Sequence, residues 1–225
     1  MDSSPPRGRW YQISLRSLML LIAVAGVGLG WVGSERKQSQ YEMQIAEQLT
    51  ASGAHVNIAG RFDDADPFVQ PTWWRKILSK LCGPRVRQVS ADGHRFADLS
   101  SIAGLKSIKG LALHFTQVSD LAPLSELTSL ERITIDGSPV SDIEPLARLK
   151  NLTGLDLNMA NVSDLSPLSS LDNLELLRVQ ATQVQDISPL VGLTRLRYVN
   201  IVGTLVSDEQ VQLLQNALPN CKIER

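Results

Sequence analysis

The chain has 225 residues, a formal charge of -1 at neutral pH, 43% hydrophobic residues and only 5% aromatic ones. That is enough for one medium domain with appendages, and the near-neutral balance argues against nucleic acid as a partner, because a phosphate-binding face needs clustered Lys and Arg. No phosphate-cradling Gly loop or dinucleotide fingerprint occurs, so no nucleotide cofactor is expected.

Residues 1–12 read as a short tail carrying Arg7 and Arg9. From Ile13 to Val32 the chain is apolar apart from Arg16, and Ser17 to Gly33 carries no charge. About 20 residues at ~1.5 Å rise cover the ~30 Å hydrocarbon core of a bilayer, so 13–33 is expected to be a transmembrane helix with the lipid bilayer as its partner. Trp10, Tyr11 and Trp31 flank the run, where amphipathic rings favour the interface. Arg7, Arg9 and Arg16 precede it while Arg36 and Lys37 lie beyond it, a small positive-inside bias for a cytoplasmic N-terminus and an extracytoplasmic remainder. The alternative is a signal peptide cleaved near Ser34, giving a secreted protein.

Residues 34–70 are expected to form a juxtamembrane helix, a short strand and an acidic loop. Tyr41, Ile45 and Leu49 make a narrow helical stripe ending near Gly53, His55 to Ala59 alternates as a strand, and Asp63, Asp64 and Asp66 sit in a solvated loop. Residues 71–85, with Trp73, Trp74, Ile77 and Leu81 before Gly83 and Pro84, read as an amphipathic helix that caps the repetitive region beginning at Val86.

From Val86 onward one phrase recurs. Leu130, Leu152, Leu174 and Leu196 stand 22 residues apart, as do Ile133, Leu155, Leu177 and Val199, and Ile135, Leu157, Val179 and Ile201. Downstream columns repeat too: Val118, Val140, Val162, Val184 and Val206, then Leu124, Leu146, Leu168 and Leu190, then Leu127, Leu149, Leu171 and Leu193. A fixed period of this length means stacked units that bury their apolar faces only against each other. Each buried side chain contributes ~1.5 to 3 kcal/mol before entropy is counted, so several rungs must form together. Residues 86–206 are the repeats, and 207–225 form a closing helix and strand, with Asp208 expected to cap the helix and Cys221 to take the place of Val199 one period later.

This pattern resembles the leucine-rich-repeat family in its 22-residue bacterial form, as in internalin-like proteins. The resemblance implies an α/β solenoid, a horseshoe or arc with short parallel strands on the concave face and short helical turns on the convex face, here preceded by one transmembrane helix. It covers about 140 of the 225 residues. The column that is usually Asn reads Thr116, Ser138, Ala160, Thr182 and Thr204, so the rung of Ala160 is expected to be weak. With one N-terminal anchor, the whole resembles one-anchor repeat proteins of bacterial envelopes.

The column Asp98, Asp120, Asp142, Asp164, Asp186 and Asp208 could hold cations, yet Pro123, Pro145, Pro167 and Pro189 come after it in the first turn of each convex segment, so capping of free N–H groups is the expectation. Cys82 and Cys221 lie before the first rung and at the last, six rungs at ~4.8 Å or roughly 29 Å apart, whereas a disulfide needs Cα atoms within about 7 Å. Two free thiols are expected.

Specificity then falls to the positions that do not repeat on the concave strands. The candidate partner-binding residues are His114, Phe115, Arg132, Asp136, Asp156, Met159, Leu176, Arg178, Tyr198 and Asn200. They mix charge with exposed apolar groups, as protein interfaces do, and the expected ligand is a protein partner in the cell envelope. A structural spacer without ligand is the competing reading. His114, Asp136, Asn158 and Asp156 could in principle hold a metal ion, but one His with no second nitrogen or sulfur ligand is a poor set, and no nucleophile stands by a base. No metal, cofactor or catalytic activity is expected.

Overall fold

The computed structural model describes residues 15–60, 84–93 and 96–225. One sheet of eight strands runs through it in chain order, β1 (His55–Gly60), β2 (Pro84–Asp92), β3 (Gly110–His114), β4 (Arg132–Asp136), β5 (Gly154–Asp156), β6 (Leu176–Arg178), β7 (Tyr198–Asn200) and β8 (Lys222–Glu224). From β2 onward all neighbours are parallel, and Leu111, Ile133, Leu155, Leu177 and Val199 stand in register. The 22-residue period is therefore the rung itself. Lys109, Glu131, Thr153, Glu175 and Arg197 each donate an N–H to the carbonyl one rung earlier at 2.8 Å, which extends the ladder past the strand ends.

Alternation along each strand sends one set of side chains inward. Val86, Ile108, Leu130, Leu152 and Leu174 are fully buried, and the columns of Val118, Leu124 and Leu127 are equally buried in every complete rung. On the opposite wall the Pro-Leu phrase forms short 3-10 turns, Ala122–Leu124, Glu144–Arg148, Ser166–Ser170 and Ser188–Leu190, each with Pro in its first turn. The Asp column works as expected but from one residue further out. Asp98, Asp120, Asp142, Asp164 and Asp186 each accept the N–H two residues ahead at 2.8 to 2.9 Å, closing an Asx turn that starts the 3-10 turn.

The N-terminal region departs from expectation. A single helix, α1 (Leu15–Ala51), replaces the division into a span ending at 33 and a separate helix after it. Among the described residues, no helix is long and apolar enough to cross a membrane. The second half of α1 is the N-terminal cap and no free stalk, because Ser39, Glu42, Ile45, Ala46 and Leu49 are buried against the first rung. The buried stripe is shifted from the expected one: Tyr41 is half exposed and its ring edge covers Gly104, where an added Cβ would meet it at 2.5 Å. β1 pairs antiparallel with β2. The expected cap helix at 71–85, the acidic loop from 61 and Cys82 lie outside the described residues, apart from Pro84 and Arg85, which belong to β2.

Ionic chemistry fastens α1. Arg85 donates to both the carbonyl and the carboxylate of Glu35, and to Glu42 Oε1 at 3.2 Å, while Glu42 Oε2 accepts the Val86 N–H at 3.2 Å. Gln38 Nε2 reaches the Gly104 carbonyl at 3.1 Å.

At the other end, α2 (Asp208–Ala217) replaces the last 3-10 turn. Its cap is Ser207, whose side chain accepts the Gln210 N–H at 3.4 Å; Asp208 is the first helical residue and pairs with Arg225. The longer helix adds two residues to the rung, so Val199 pairs with Ile223 and not with the position of Cys221. Cys221 is a buried free thiol whose pKa burial pushes up. The hydroxyl column forms one link between rungs, Thr116 to Ser138 at 2.8 Å, whereas Thr182 and Thr204 donate to carbonyls of their own rungs, Val179 and Ile201, at 2.7 Å. Ala160 thus interrupts no continuous ladder, and the reason for expecting a weak rung there disappears.

Candidate functional site

The outward rows of the concave sheet place the anticipated residues on one surface but in two different conditions. Along the strands the rows read Gly110, Arg132, Gly154, Leu176, Tyr198 and Lys222, then Ala112, Thr134, Asp156, Arg178, Asn200 and Glu224. The β3–β5 half has small residues on its floor. The β6–β8 half is filled.

In the filled half, side chains satisfy each other. Tyr198 donates its hydroxyl to Glu224, which holds the Glu224 carboxyl below its ordinary pKa, with Lys222 adding to the effect. Asn200 Nδ2 reaches both groups at 3.3 Å, and its Oδ1 accepts the Val202 N–H at 3.0 Å. Arg178 and Lys222 lie over the Tyr198 ring at 5.7 and 5.6 Å from its centre, within cation–π range. Arg178 also pairs with Asp156 at 3.4 Å, and Asp156 Oδ1 accepts the Asn158 N–H at 3.1 Å. Asn200 is buried. Of the candidate residues, Asp156, Arg178, Tyr198 and Asn200 are therefore already engaged in holding the sheet surface together, and Leu176 is half-buried beside them.

The other half is less complete. Arg132 is exposed and has no hydrogen-bond or ion-pair partner among the described side chains, while Lys109 and Glu131 beside it pair at 2.5 Å. Asn57, Arg87, Gln88, Lys109, Gly110, Ala112, Arg132 and Thr134 line a groove of about 770 Å³, and a second of about 450 Å³ continues past Arg132 over Gly154. His114 Nδ1 lies 4.0 Å from Asp136 Oδ2. Burial, then repulsion from Asp156, raises the Asp136 pKa, and His114 pulls it back. Asp136 Oδ1 is buried without a partner among the described residues. Among those residues no group of three His, Cys, Asp or Glu is placed to hold a metal ion.

Phe115 and Met159 pass for ordinary strand residues in the repeat pattern. They are instead the turn out of the strand: Gly93, Phe115, Gly137, Met159, Ala181 and Gly203 all have positive φ, between 52° and 88°. In this conformation the Phe115 N–H reaches the Asp136 carbonyl at 2.7 Å and the Met159 N–H the Gln180 carbonyl at 2.8 Å, so the ladder itself requires it. A left-handed residue with a side chain costs roughly 1–2 kcal/mol, which glycine avoids. Three glycines in one 22-residue column were the available signal. Phe115 and Met159 are 50% and 48% exposed, and the Phe115 ring occupies the space over Gly137, where a Cβ would lie 2.6 Å from it.

Rung spacing, parallel strands facing 3-10 turns, and a variable concave surface define a leucine-rich-repeat solenoid. A scan against protein-family models and a search of curated proteins each gave no match. Among solved structures the chain is similar to an internalin from Listeria monocytogenes, at 26% identity over 60% of this chain and 40% of that one, with a TM-score of 0.56. It is also similar in fold to a leucine-rich-repeat protein from Leptospira interrogans, at 21% identity over 58% of this chain and 34% of that one, with a TM-score of 0.54. The chain thus spans less than half the length of either. The protein is a leucine-rich-repeat protein.

Proposed function

We propose that this protein is a non-catalytic scaffold that binds a protein partner through the β3–β5 half of its concave face. The observation that carries this reading is the retention of Phe115 and Met159, both about half exposed, in a backbone column where glycine would cost less. Strained positions that keep large exposed side chains are where function offsets stability. The fold supplies an extended, rigid surface for such a partner. Capture from an envelope extract by the full-length chain and by a Phe115→Ala/Met159→Ala variant tests it. A partner captured by the first and lost by the second supports the reading, and the same partner retained by both sinks it.

The setting we propose is a bacterial envelope membrane, with residues 13–33 as the anchor, the N-terminus cytoplasmic and the repeats outside the cytoplasm. The support for it is the charge-free run from Ser17 to Gly33 and the arginines before it. Alkaline extraction of membranes should leave the chain in the pellet, and external protease should cut the repeats in intact spheroplasts; release into the supernatant would refute the anchor.

A further inference from the structure

We propose that Arg132 is the recognition point for a carboxylate on an extended acidic segment of the protein partner, with the small-residue trough of β3–β5 receiving that segment. The inference rests on the concave-face reading and names the chemistry the face selects.

Three observations converge on Arg132. Of the cations on the outward strand positions of β3–β8, Arg178 pairs with Asp156 and Lys222 with Glu224, whereas Arg132 has no partner among the described side chains. Its row carries glycine on both sides, Gly110 and Gly154, and Ala112 and Thr134 complete the floor, so no large side chain blocks approach from solvent. The stem of Arg132 lies over Gly154, with its Cγ 3.6 Å from where a Cβ would stand, which carries the guanidinium along the sheet between the two grooves. Charge completes the case. The larger groove is lined by Arg87, Lys109 and Arg132 against Glu131 alone, three positive groups to one negative, and that one is bound to Lys109. Guanidinium offers a planar fork that matches a carboxylate through two parallel hydrogen bonds, and glycine lets a peptide backbone come close enough to deliver one.

The probe is a fluorescein-labelled peptide of alternating Glu and Gly, compared with its Gln-Gly counterpart, titrated with the full-length chain in detergent. Anisotropy should show salt-sensitive binding of the Glu peptide only. Arg132→Gln should weaken it about tenfold or more, the range of a charge-assisted hydrogen bond. Gly154→Leu should weaken it similarly while keeping the charge, and Arg178→Gln should leave it unchanged; circular dichroism of all three variants should match the parent. Equal binding of both peptides, or of the parent and Arg132→Gln, overturns the proposal. So does competition by inorganic phosphate at concentrations as low as those of the Glu peptide, which would assign Arg132 to a free anion. If the captured partner is lost with Phe115→Ala/Met159→Ala yet kept by Arg132→Gln, the carboxylate inference falls while the scaffold reading stands.

Discussion

The two ends of the solenoid solve the same problem with opposite chemistry. At the N-terminal end a helix that precedes the repeats is held by a buried ionic cluster, Arg85 with Glu35 and Glu42, in which Arg85 and Glu42 side chains are 3% and 0% exposed. At the C-terminal end the last convex turn has simply lengthened into α2, and neutral amides hold it. Gln210 Oε1 accepts the Ile187 N–H at 2.7 Å and its Nε2 donates to Asp186 Oδ1 at 3.2 Å, while Gln215 Nε2 reaches the Leu218 and Cys221 carbonyls at 3.3 and 3.1 Å. The difference lies in origin. α2 inherits the register of the repeats and needs only to be stitched to the previous rung; α1 lies outside the period and must be positioned by strong, directional contacts. Ion pairs removed from water contribute little net stability but penalise every wrong arrangement.

The contrast between the caps is broken most directly at Glu42. Glu42→Ala leaves Arg85 buried with one counter-charge fewer and the Val86 N–H without its acceptor, and should cost about 3–5 kcal/mol by urea denaturation. A double change, Glu42→Leu with Arg85→Met, should recover most of that loss. If the single variant unfolds at the parent's urea concentration, the cluster is not what fastens α1. At the other end Gln210→Ala removes two neutral contacts and should cost about 1–2 kcal/mol, well below the Glu42 effect. An equal or larger loss would reverse the ranking of the two caps.

Ala181→Gly probes the regular body between the caps. It relieves a left-handed alanine at φ 54° and should stabilise by about 1 kcal/mol, seen as a higher Tm; a loss would mean that the Ala181 methyl, which lies under Gly203, packs better than it strains.

The smallest effect concerns pH. Hydrogen bonds from Ser100, Ser166 and Ser188 hold Asp98, Asp164 and Asp186 below the ordinary carboxylate pKa. Their folded-state values are depressed, so the stability they add is present above about pH 4 and is lost as pH falls through the folded values. The Tm should fall from pH 5 to pH 3, and an Asp98→Asn/Asp164→Asn/Asp186→Asn variant should fall less over that window; an identical slope would remove these carboxylates from the account. Asp136 acts with the opposite sign. Its raised pKa makes ionisation costly in the folded state, so its protonation returns some stability as the pH is lowered.

Much of the fold was legible because a rung is a local object. The 22-residue columns name the buried positions, the strand register and the Asp-Pro start of each convex turn, and these hold from Ile108 to Val206. The left-handed column was legible in part, through Gly93, Gly137 and Gly203, but Phe115 and Met159 concealed it by looking like strand residues. The candidate site was legible as a surface and not as a state. Nothing in the order of residues distinguishes Arg132 from Arg178, since pairing depends on whether the next rung presents Asp156 or a glycine at the right place.

The sequence by itself determined the repeat, its period and the face that varies, because a residue and its copy 22 positions on meet the same backbone environment. Only the tertiary structure decided the caps, the extra two residues in the last rung and which concave charges remain unpaired. Those depend on contacts between segments of unlike sequence, such as Glu42 with Val86 across 44 positions, for which no period provides a template.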